Sequence, residues 1–155
     1  MNFLFLKFLH VGSMFLATAL AVGPSVLLYL IARTRDVGAI RRAFGHATTV
    51  FRAGGAFYGL GLLFGFAAAL TGQIDLTAQW LITAYVLVGV LIATNLVFER
   101  WTRRVDRSVG ESAGEPSPDL IEAIRARAPL ASLATMVTLT LLIVFVMVVK
   151  PSLFG

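Results

Sequence analysis

The chain has 155 residues, of which 58% are hydrophobic and only 14% are charged. About a quarter of the residues in a soluble domain are charged, so this composition excludes an ordinary soluble domain and favours one helical domain in a membrane. The chain contains no cysteine, which excludes disulfides, thiolate metal sites and cysteine nucleophiles.

Four apolar runs are long enough to cross a bilayer, which takes about 20 helical residues. The runs cover roughly residues 3–31, 53–70, 78–98 and 129–149. We therefore predict a single domain over residues 1–155, an all-α integral membrane four-helix bundle with short interfacial helices in its cytoplasmic loops. The first run continues apolar well past its small-x-small segment at Ala19–Ala21, so we expect a retained span rather than a cleaved signal peptide.

The first span contains Gly23-Pro24, which removes a backbone hydrogen bond and predicts a bend. In the loop that follows, Val37, Ile40 and Phe44 recur at helical spacing. This spacing predicts a short helix lying in the headgroup layer before the chain enters the second span. Arg52 stands at the start of that span, where its long side chain can reach the interface.

The second span is rich in glycine, with two small-xxx-small pairs formed by Gly55 with Gly59 and by Gly61 with Gly65. Lipid offers helices no hydrophobic drive to associate, so close backbone approach at small residues has to hold them together. We predict that all four glycines pack against another helix. The partner helix could belong to this chain, the alternative we favour, or to another subunit.

The third loop divides into two parts. Residues 108–116 have the composition of a flexible linker. Ser117, Pro118 and Asp119 then form a helix start, with an N-cap residue, a proline at the first helical position and an acid in the first turn. They predict a surface helix over residues 118–127, which Pro129 separates from the last span.

Charge distribution gives the orientation. Of the 13 Lys and Arg residues, all but Lys7 and Lys150 lie in or beside the first and third loops, whereas the short second loop has Asp75 and no base. The positive-inside rule then predicts cytoplasmic first and third loops and both termini outside. Because the arginines flank membrane spans, the net charge of +5 indicates topology rather than nucleic-acid binding. We expect docking to anionic lipid or a partner protein at Arg41, Arg42, Arg103 and Arg104.

Few residues could carry chemistry inside the membrane. No Asp or Glu lies within a predicted span, which argues against a proton relay, an ion-coupled transporter or an intramembrane protease. His10 lies in the first span and His46 before the second, about 30 Å apart in depth, so one iron cannot bind both. His10 is either a hydrogen-bonding residue between helices, a substrate contact, or a haem or copper ligand with Met14 or Met147.

Two segments carry a family resemblance: KFLHVGSMFLATALAVGP near the start of the chain, and ALTGQIDLTAQWLITAYVLVGVLIATN. They resemble bacterial four-span integral membrane proteins of unknown function and the copper-resistance D-like membrane domain, in which a Leu-His pair opens a span. The likeness covers roughly residues 7–100. It implies a bacterial inner membrane and leaves open a haem or copper role for His10. The chain departs from a copper-handling pattern because it has no Met-rich or His-rich external segment.

These observations predict a non-catalytic membrane protein that acts as a small subunit or assembly factor of a larger membrane complex. Its expected surroundings are the lipid bilayer of the cell inner membrane and other membrane protein subunits, without nucleic acid. A haem- or copper-binding membrane protein that uses His10 is the alternative. A small permease is a weaker third hypothesis, since no span contains an Asp or Glu.

Overall fold

The protein is an all-α membrane bundle. A computed structural model describes residues 2–112 and 114–150, in which five helices are found: α1 (Phe3–Thr34), α2 (Val37–Thr71), α3 (Gln79–Gly110), α4 (Pro118–Arg125) and α5 (Ala128–Val149). Four segments, in α1, α2, α3 and α4–α5, are long and apolar enough to cross a membrane. The predicted four-helix bundle is therefore confirmed, and the chain is a multi-pass membrane protein.

Short connections with local caps set the helix order. Arg35 adopts a left-handed conformation (φ 59°) directly after α1, and Asp36 accepts a hydrogen bond from Ala39 N at 2.9 Å to cap α2. This tight connection forces α1 and α2 to run antiparallel. Ser117 caps α4 as the sequence predicts, since its hydroxyl accepts from Leu120 N at 3.2 Å and Pro118 follows at the first helical position.

The short interfacial helix predicted in the first loop is not a separate element. Residues Val37–Thr71 form one continuous helix, because the segment contains no proline and a glycine such as Gly45 costs a helix only about 1 kcal/mol. The apolar face of its first turns, predicted to lie among headgroups, is buried inside the protein instead, with Ile40 and Phe44 no more than 1% exposed.

The third loop is shorter and more ordered than its composition indicates. The helix α3 continues to Gly110, and Ser108, Val109 and Ser112 are buried. The predicted flexible linker 108–116 is therefore wrong for its first residues. The surface helix ends at Arg125 rather than at residue 127, because Ala126 has an extended backbone (ψ 138°). Residues Ala128–Val149 then form α5, with Pro129 in its first turn.

The helix pairs α1–α2 and α3–α5 make most of the contacts between elements. The antiparallel α1–α2 pair keeps one register along its length, with Phe3 beside Gly72, Met14 beside Gly61 and Leu20 beside Gly54. The helix α1 continues through Pro24 without interruption. A proline can bend a helix without interrupting it, so the bend expected there stays a prediction.

The best-packed part of the core lies at the arginine-rich end, defined here as the end of the bundle that carries residues 33–52 and 99–128. Trp101 is its centre, with its ring 5.1 Å from Phe98, 5.8 Å from Phe44 and 6.3 Å from Tyr29 between centroids. Its Nε1–H donates to the carbonyl of Ala123 at 2.9 Å, which ties α4 to α3. Large apolar side chains elsewhere face outward, as lipid contact requires: Phe8, Phe15, Leu141 and Val148.

Candidate functional site

The glycine-rich helix α2 presents two different faces. On one face, an added Cβ at Gly61 would lie 2.5 Å from Met14 Sδ, and one at Gly65 would lie 2.6 Å from His10 Nδ1. A Cβ at Gly54 would touch Leu20 of the same neighbouring helix, at 3.4 Å. Side chains of α1 therefore rest directly on the backbone of α2, and a side chain at position 61 or 65 would force Met14 or His10 to move.

The other predicted packing glycines do not share this contact. A Cβ at Gly55 or Gly59 would meet no atom within 4 Å in the part of the chain that the structure describes. The expectation that all four glycines pack against a helix of this chain is therefore wrong for this pair. Gly59 and Gly61 are two residues apart, which turns them about 200° around the helix, so the two pairs cannot face the same neighbour.

Gly55 and Gly59 line a groove between α2 and α3, named here the α2–α3 groove, with a volume of about 340 Å³. Its walls are mostly apolar. The residues facing Gly55 and Gly59 across it belong to α3, and the full α3 side is Ile92, Asn95, Leu96, Phe98 and Glu99. The groove exists because α2 contacts α3 much less than it contacts α1.

Three polar side chains line the α2–α3 groove. Asn95 Nδ2 donates to the carbonyl of Leu91 at 2.9 Å, and Glu99 accepts from Arg103 Nη2 at 2.6 Å. The Asn95 amide oxygen and the Tyr58 hydroxyl have no hydrogen-bond partner among the described residues. The groove therefore offers one acceptor and one hydroxyl to an incoming molecule on an otherwise apolar surface.

Sequence reasoning missed these polar residues. Asn95 and Glu99 are four residues apart, so they lie on one face of α3, and an asparagine inside an apolar span is itself a signal because polar groups are expensive there. A search of the spans for carboxylates and histidines alone does not find the Asn95 amide. What sequence alone could not supply is the separation of α2 from α3 that opens this face.

His10 lies in the α1–α2 interface. Its Nδ1 is 2.7 Å from the carbonyl oxygen of Gly61, and because a carbonyl only accepts, Nδ1 carries the proton. The lone pair is then on Nε2. A fixed Nδ1–H tautomer of this kind both holds two helices together and is the form in which histidine binds a metal through Nε2.

The other candidate ligands belong to three different helices, with Met14 on α1, His46 on α2 and Met147 on α5. Met14 Sδ rests on Gly61, and Met147 is partly buried against the hydrophobic core in α5. His46 is exposed and lies 15 residues before Gly61 on α2, or about 22 Å along the helix. Within residues 2–112 and 114–150, no group of three or more His, Cys, Asp or Glu side chains is placed to hold a metal.

Three of the four arginines expected to dock lipid or protein make contacts within the chain. Arg41 Nη2 donates to the carbonyls of Val109 and Ser112, at 3.1 and 2.8 Å, and so caps the end of α3. The other two form ion pairs, Arg103 with Glu99 and Arg104 with Glu122. Arg42 is exposed and has no ion pair in the described chain.

At the opposite end of the bundle, the second loop is held by a single carboxylate. Asp75 Oδ1 accepts from the Thr77 hydroxyl at 2.6 Å and from the Thr77 backbone N–H at 2.9 Å. Both bonds lower the pKa of Asp75 below its ordinary value, and the bond from the Thr77 hydroxyl has the larger effect. This turn leads into α3 and fixes where that helix begins.

Comparison of the chain with protein-family models, with curated proteins and with solved structures returns no match. A function for this protein therefore has to be inferred from the α2–α3 groove, the α1–α2 interface and the arginine-rich end.

Proposed function

We propose that the protein is a non-catalytic small subunit or assembly factor of a membrane complex, and that it holds a membrane-spanning helix of another protein in the α2–α3 groove. The observation that carries this proposal concerns Gly55 and Gly59, which lie in an apolar span. An added Cβ at either position would meet no atom of a neighbouring helix within 4 Å in the described chain. Such a pair lets a second backbone approach closely, which is how spanning helices associate in lipid.

The polar groups of the groove support a protein helix as the occupant. The unpartnered amide oxygen of Asn95 and hydroxyl of Tyr58 offer hydrogen bonds to Ser, Thr or Asn side chains of an incoming helix. Each such bond contributes about 0.6 kcal/mol on average in a membrane, so they would set register more than affinity. The rest of the surface would be covered by van der Waals contact with the groove walls.

The membrane and orientation belong to the same proposal. We place the protein in a bacterial inner membrane with both termini outside, so that the arginine-rich end is cytoplasmic. Arg42, together with the exposed ion pairs of Arg103 and Arg104, would meet anionic headgroups or the partner there. These arginines flank spans, so lipid phosphate rather than nucleic acid is the anion we expect them to meet.

The test is the size of the complex in native membranes. Tagged protein expressed from its own locus is extracted in mild detergent and sized by native electrophoresis, in wild type and in Gly59→Leu and Gly89→Leu. Gly89 is the matched control, because a Cβ there also meets no atom within 4 Å but Gly89 does not line the groove. We expect a complex well above 16.7 kDa in wild type and Gly89→Leu, and free protein in Gly59→Leu.

Three results would contradict the proposal. A wild-type protein that migrates alone, with only detergent and lipid, would show that the protein is not part of a complex. A Gly59→Leu variant that stays in a complex of unchanged size would remove the groove as its docking site. Cross-linking from position 59 to a second copy of the same chain would show that the groove holds a helix of the same protein rather than a helix of another protein.

Binding of haem or copper through His10 is a second candidate function, favoured by the Nδ1–H bond to Gly61 that leaves the Nε2 lone pair free for a metal. The position of Met14 Sδ against Gly61 gives that sulfur a packing role in the same interface. Visible absorbance and metal content of the purified protein test this function. A cofactor lost in His10→Ala and kept in His46→Ala would support it, whereas purified protein without metal or visible absorbance would leave His10 as a packing residue.

A further inference from the structure

We propose that the arginine-rich end contains a binding site for one anionic phospholipid, in a recess between the end of α1 and the α4–α5 junction. The recess, named here the arginine recess, has a volume of about 480 Å³. Its polar wall consists of Tyr29, Arg33, Arg125 and Arg127, and its apolar wall includes Leu130 and Ala134 of α5. This site is separate from the α2–α3 groove and does not depend on it.

The charge of the arginine recess is uncompensated. The side chains of Arg33, Arg125 and Arg127 make no hydrogen bond or ion pair among the described residues, and no acidic side chain lines the recess. Glu122, an acid of the neighbouring helix α4, is paired with Arg104 at 2.8 Å. Three guanidinium groups around one cavity repel each other, and a phosphate is the group that their planar donor pattern matches best.

The position of the apolar wall identifies the anion as a lipid headgroup. From Leu130 to Ala134, α5 descends about 6 Å from the arginines toward the middle of the span. Leu130 is 53% exposed, and Ala131 and Ala134 are exposed small residues that leave a channel beside it. A free phosphate would use only the arginines, whereas a phospholipid would place its phosphate at them and an acyl chain along this channel.

Tyr29 contributes to the same end of the site. Its ring is held 6.3 Å from the Trp101 ring, and its hydroxyl makes no hydrogen bond within the part of the chain that the structure describes. A tyrosine at the membrane interface prefers this arrangement, with its ring in apolar surroundings and its hydroxyl among headgroups. The hydroxyl can donate to a phosphate oxygen that the arginines hold.

Helix capping is the competing explanation for two of the arginines. Arg33 lies in the last turn of α1 and Arg125 in the last turn of α4, where a positive charge interacts favourably with the helix dipole. Capping acts on each helix separately and requires no lipid. Arg127 is the N-cap of α5, where the dipole of that helix disfavours a cation, and it lies two residues beyond the end of α4. Capping therefore accounts for Arg127 less well than for the other two arginines.

The test measures phospholipid retained by the purified full-length protein. Protein in neutral detergent is mixed with phosphatidylglycerol or with phosphatidylcholine, and bound lipid is counted by native mass spectrometry. The test variant is the triple Arg33→Gln, Arg125→Gln, Arg127→Gln. Its matched control is Arg52→Gln, Arg100→Gln, Arg107→Gln, which removes the same charge from arginines that likewise have no partner in the described chain and do not line the recess.

We expect one tightly retained phosphatidylglycerol and no tightly retained phosphatidylcholine in wild type. A basic residue near an anionic lipid contributes roughly fivefold in affinity, so the recess triple should weaken phosphatidylglycerol binding about 100-fold. The control triple should keep the tightly bound lipid. Helical content and thermal unfolding of both triples show whether the fold is intact.

A variant that keeps all charge tests the acyl channel. Ala134→Leu would fill the channel and should lower phosphatidylglycerol retention, while millimolar inorganic phosphate should not displace the lipid. Each of four results would overturn the lipid site: equal losses in the two triples, equal binding of the two lipids, unchanged retention in Ala134→Leu, or displacement by phosphate. The last two outcomes would point to a free-phosphate site instead.

Discussion

At the scale of single residues, the most informative contact is the imidazole of His10 on the backbone of α2. The ring takes the space that a side chain at Gly65 would fill, and its Nδ1–H satisfies the carbonyl of Gly61. A polar side chain inside a span is expensive unless it is hydrogen-bonded. Histidine is tolerated here because glycine lets it come within bonding distance of a backbone acceptor on the neighbouring helix.

We expect replacement of glycine by alanine to have opposite effects at Gly65 and at Gly59. Gly65→Ala places a methyl group 2.6 Å from His10 Nδ1, and the displaced ring loses its bond to Gly61, so we expect a loss of about 1–3 kcal/mol in stability. Gly59→Ala meets no atom and only stiffens the helix, so it should be neutral or stabilising by up to about 1 kcal/mol. Thermal unfolding in detergent measures both, and an equal loss at the two positions would contradict the assignment of faces.

A second residue-scale prediction concerns the pKa of Asp75. Thr77→Val removes the hydroxyl donor and leaves the backbone N–H bond, so the pKa of Asp75 should rise part of the way toward its ordinary value. Carboxyl carbon chemical shifts, followed by NMR as pH is lowered, measure this change. Because the folded pKa is lowered, this bond stabilises the loop above the unfolded pKa, and the effect is lost as pH falls through the folded one. An unchanged pKa in Thr77→Val would show that the hydroxyl is not the main donor.

At the scale of elements, the helices extend well beyond what a bilayer requires. The helices α2 and α3, of 35 and 32 residues, are both longer than the roughly 20 residues that cross the hydrocarbon core. Their extra turns lie at the arginine-rich end, where they pack with α4 around Trp101. The result is a small folded layer at this end rather than a set of loops.

This layer predicts that Trp101 contributes to stability through its N–H as well as its ring. Trp101→Phe keeps an aromatic ring beside Phe98 and Phe44 but leaves the buried carbonyl of Ala123 without its donor. We expect a loss of about 1–3 kcal/mol, measured by thermal unfolding. Trp80→Phe is the control, because Trp80 lies at the other end of α3 beside Lys150 and should change stability by less than about 1 kcal/mol. Equal losses would contradict the role of the hydrogen bond.

At the scale of the whole molecule, the two ends differ in charge and therefore in expected location. The arginine-rich end contains all eleven arginines, that is, the 13 Lys and Arg residues less Lys7 and Lys150. The opposite end presents the short loop between α2 and α3, with Asp75 at its centre. The positive-inside rule then predicts that the arginine-rich end lies in the cytoplasm.

This orientation can be tested with single cysteines, because the chain has none of its own. Glu115→Cys and Gln73→Cys both replace exposed residues in loops at opposite ends; Ser112 is unsuitable because it is only 4% exposed. In intact cells, a membrane-impermeant maleimide should label position 73 and leave position 115 unlabelled until the cells are lysed. Labelling of position 115 alone in intact cells would invert the topology.

Local composition and spacing were enough to predict the number and approximate place of the spans, the start of α4 and the charge difference between the ends. They could not predict which glycine pair contacts α1 and which is left open, since both pairs satisfy the same motif and differ only in how the helices pack. Likewise, the apolar segment Val37–Phe44 has the same helical spacing whether its side chains face headgroups or protein. Its burial is decided by α3 and α4, which begin 35 or more residues after Phe44. The arginine recess is assembled from residues 29–33 and 125–134, and such a juxtaposition exists only once the helices have packed.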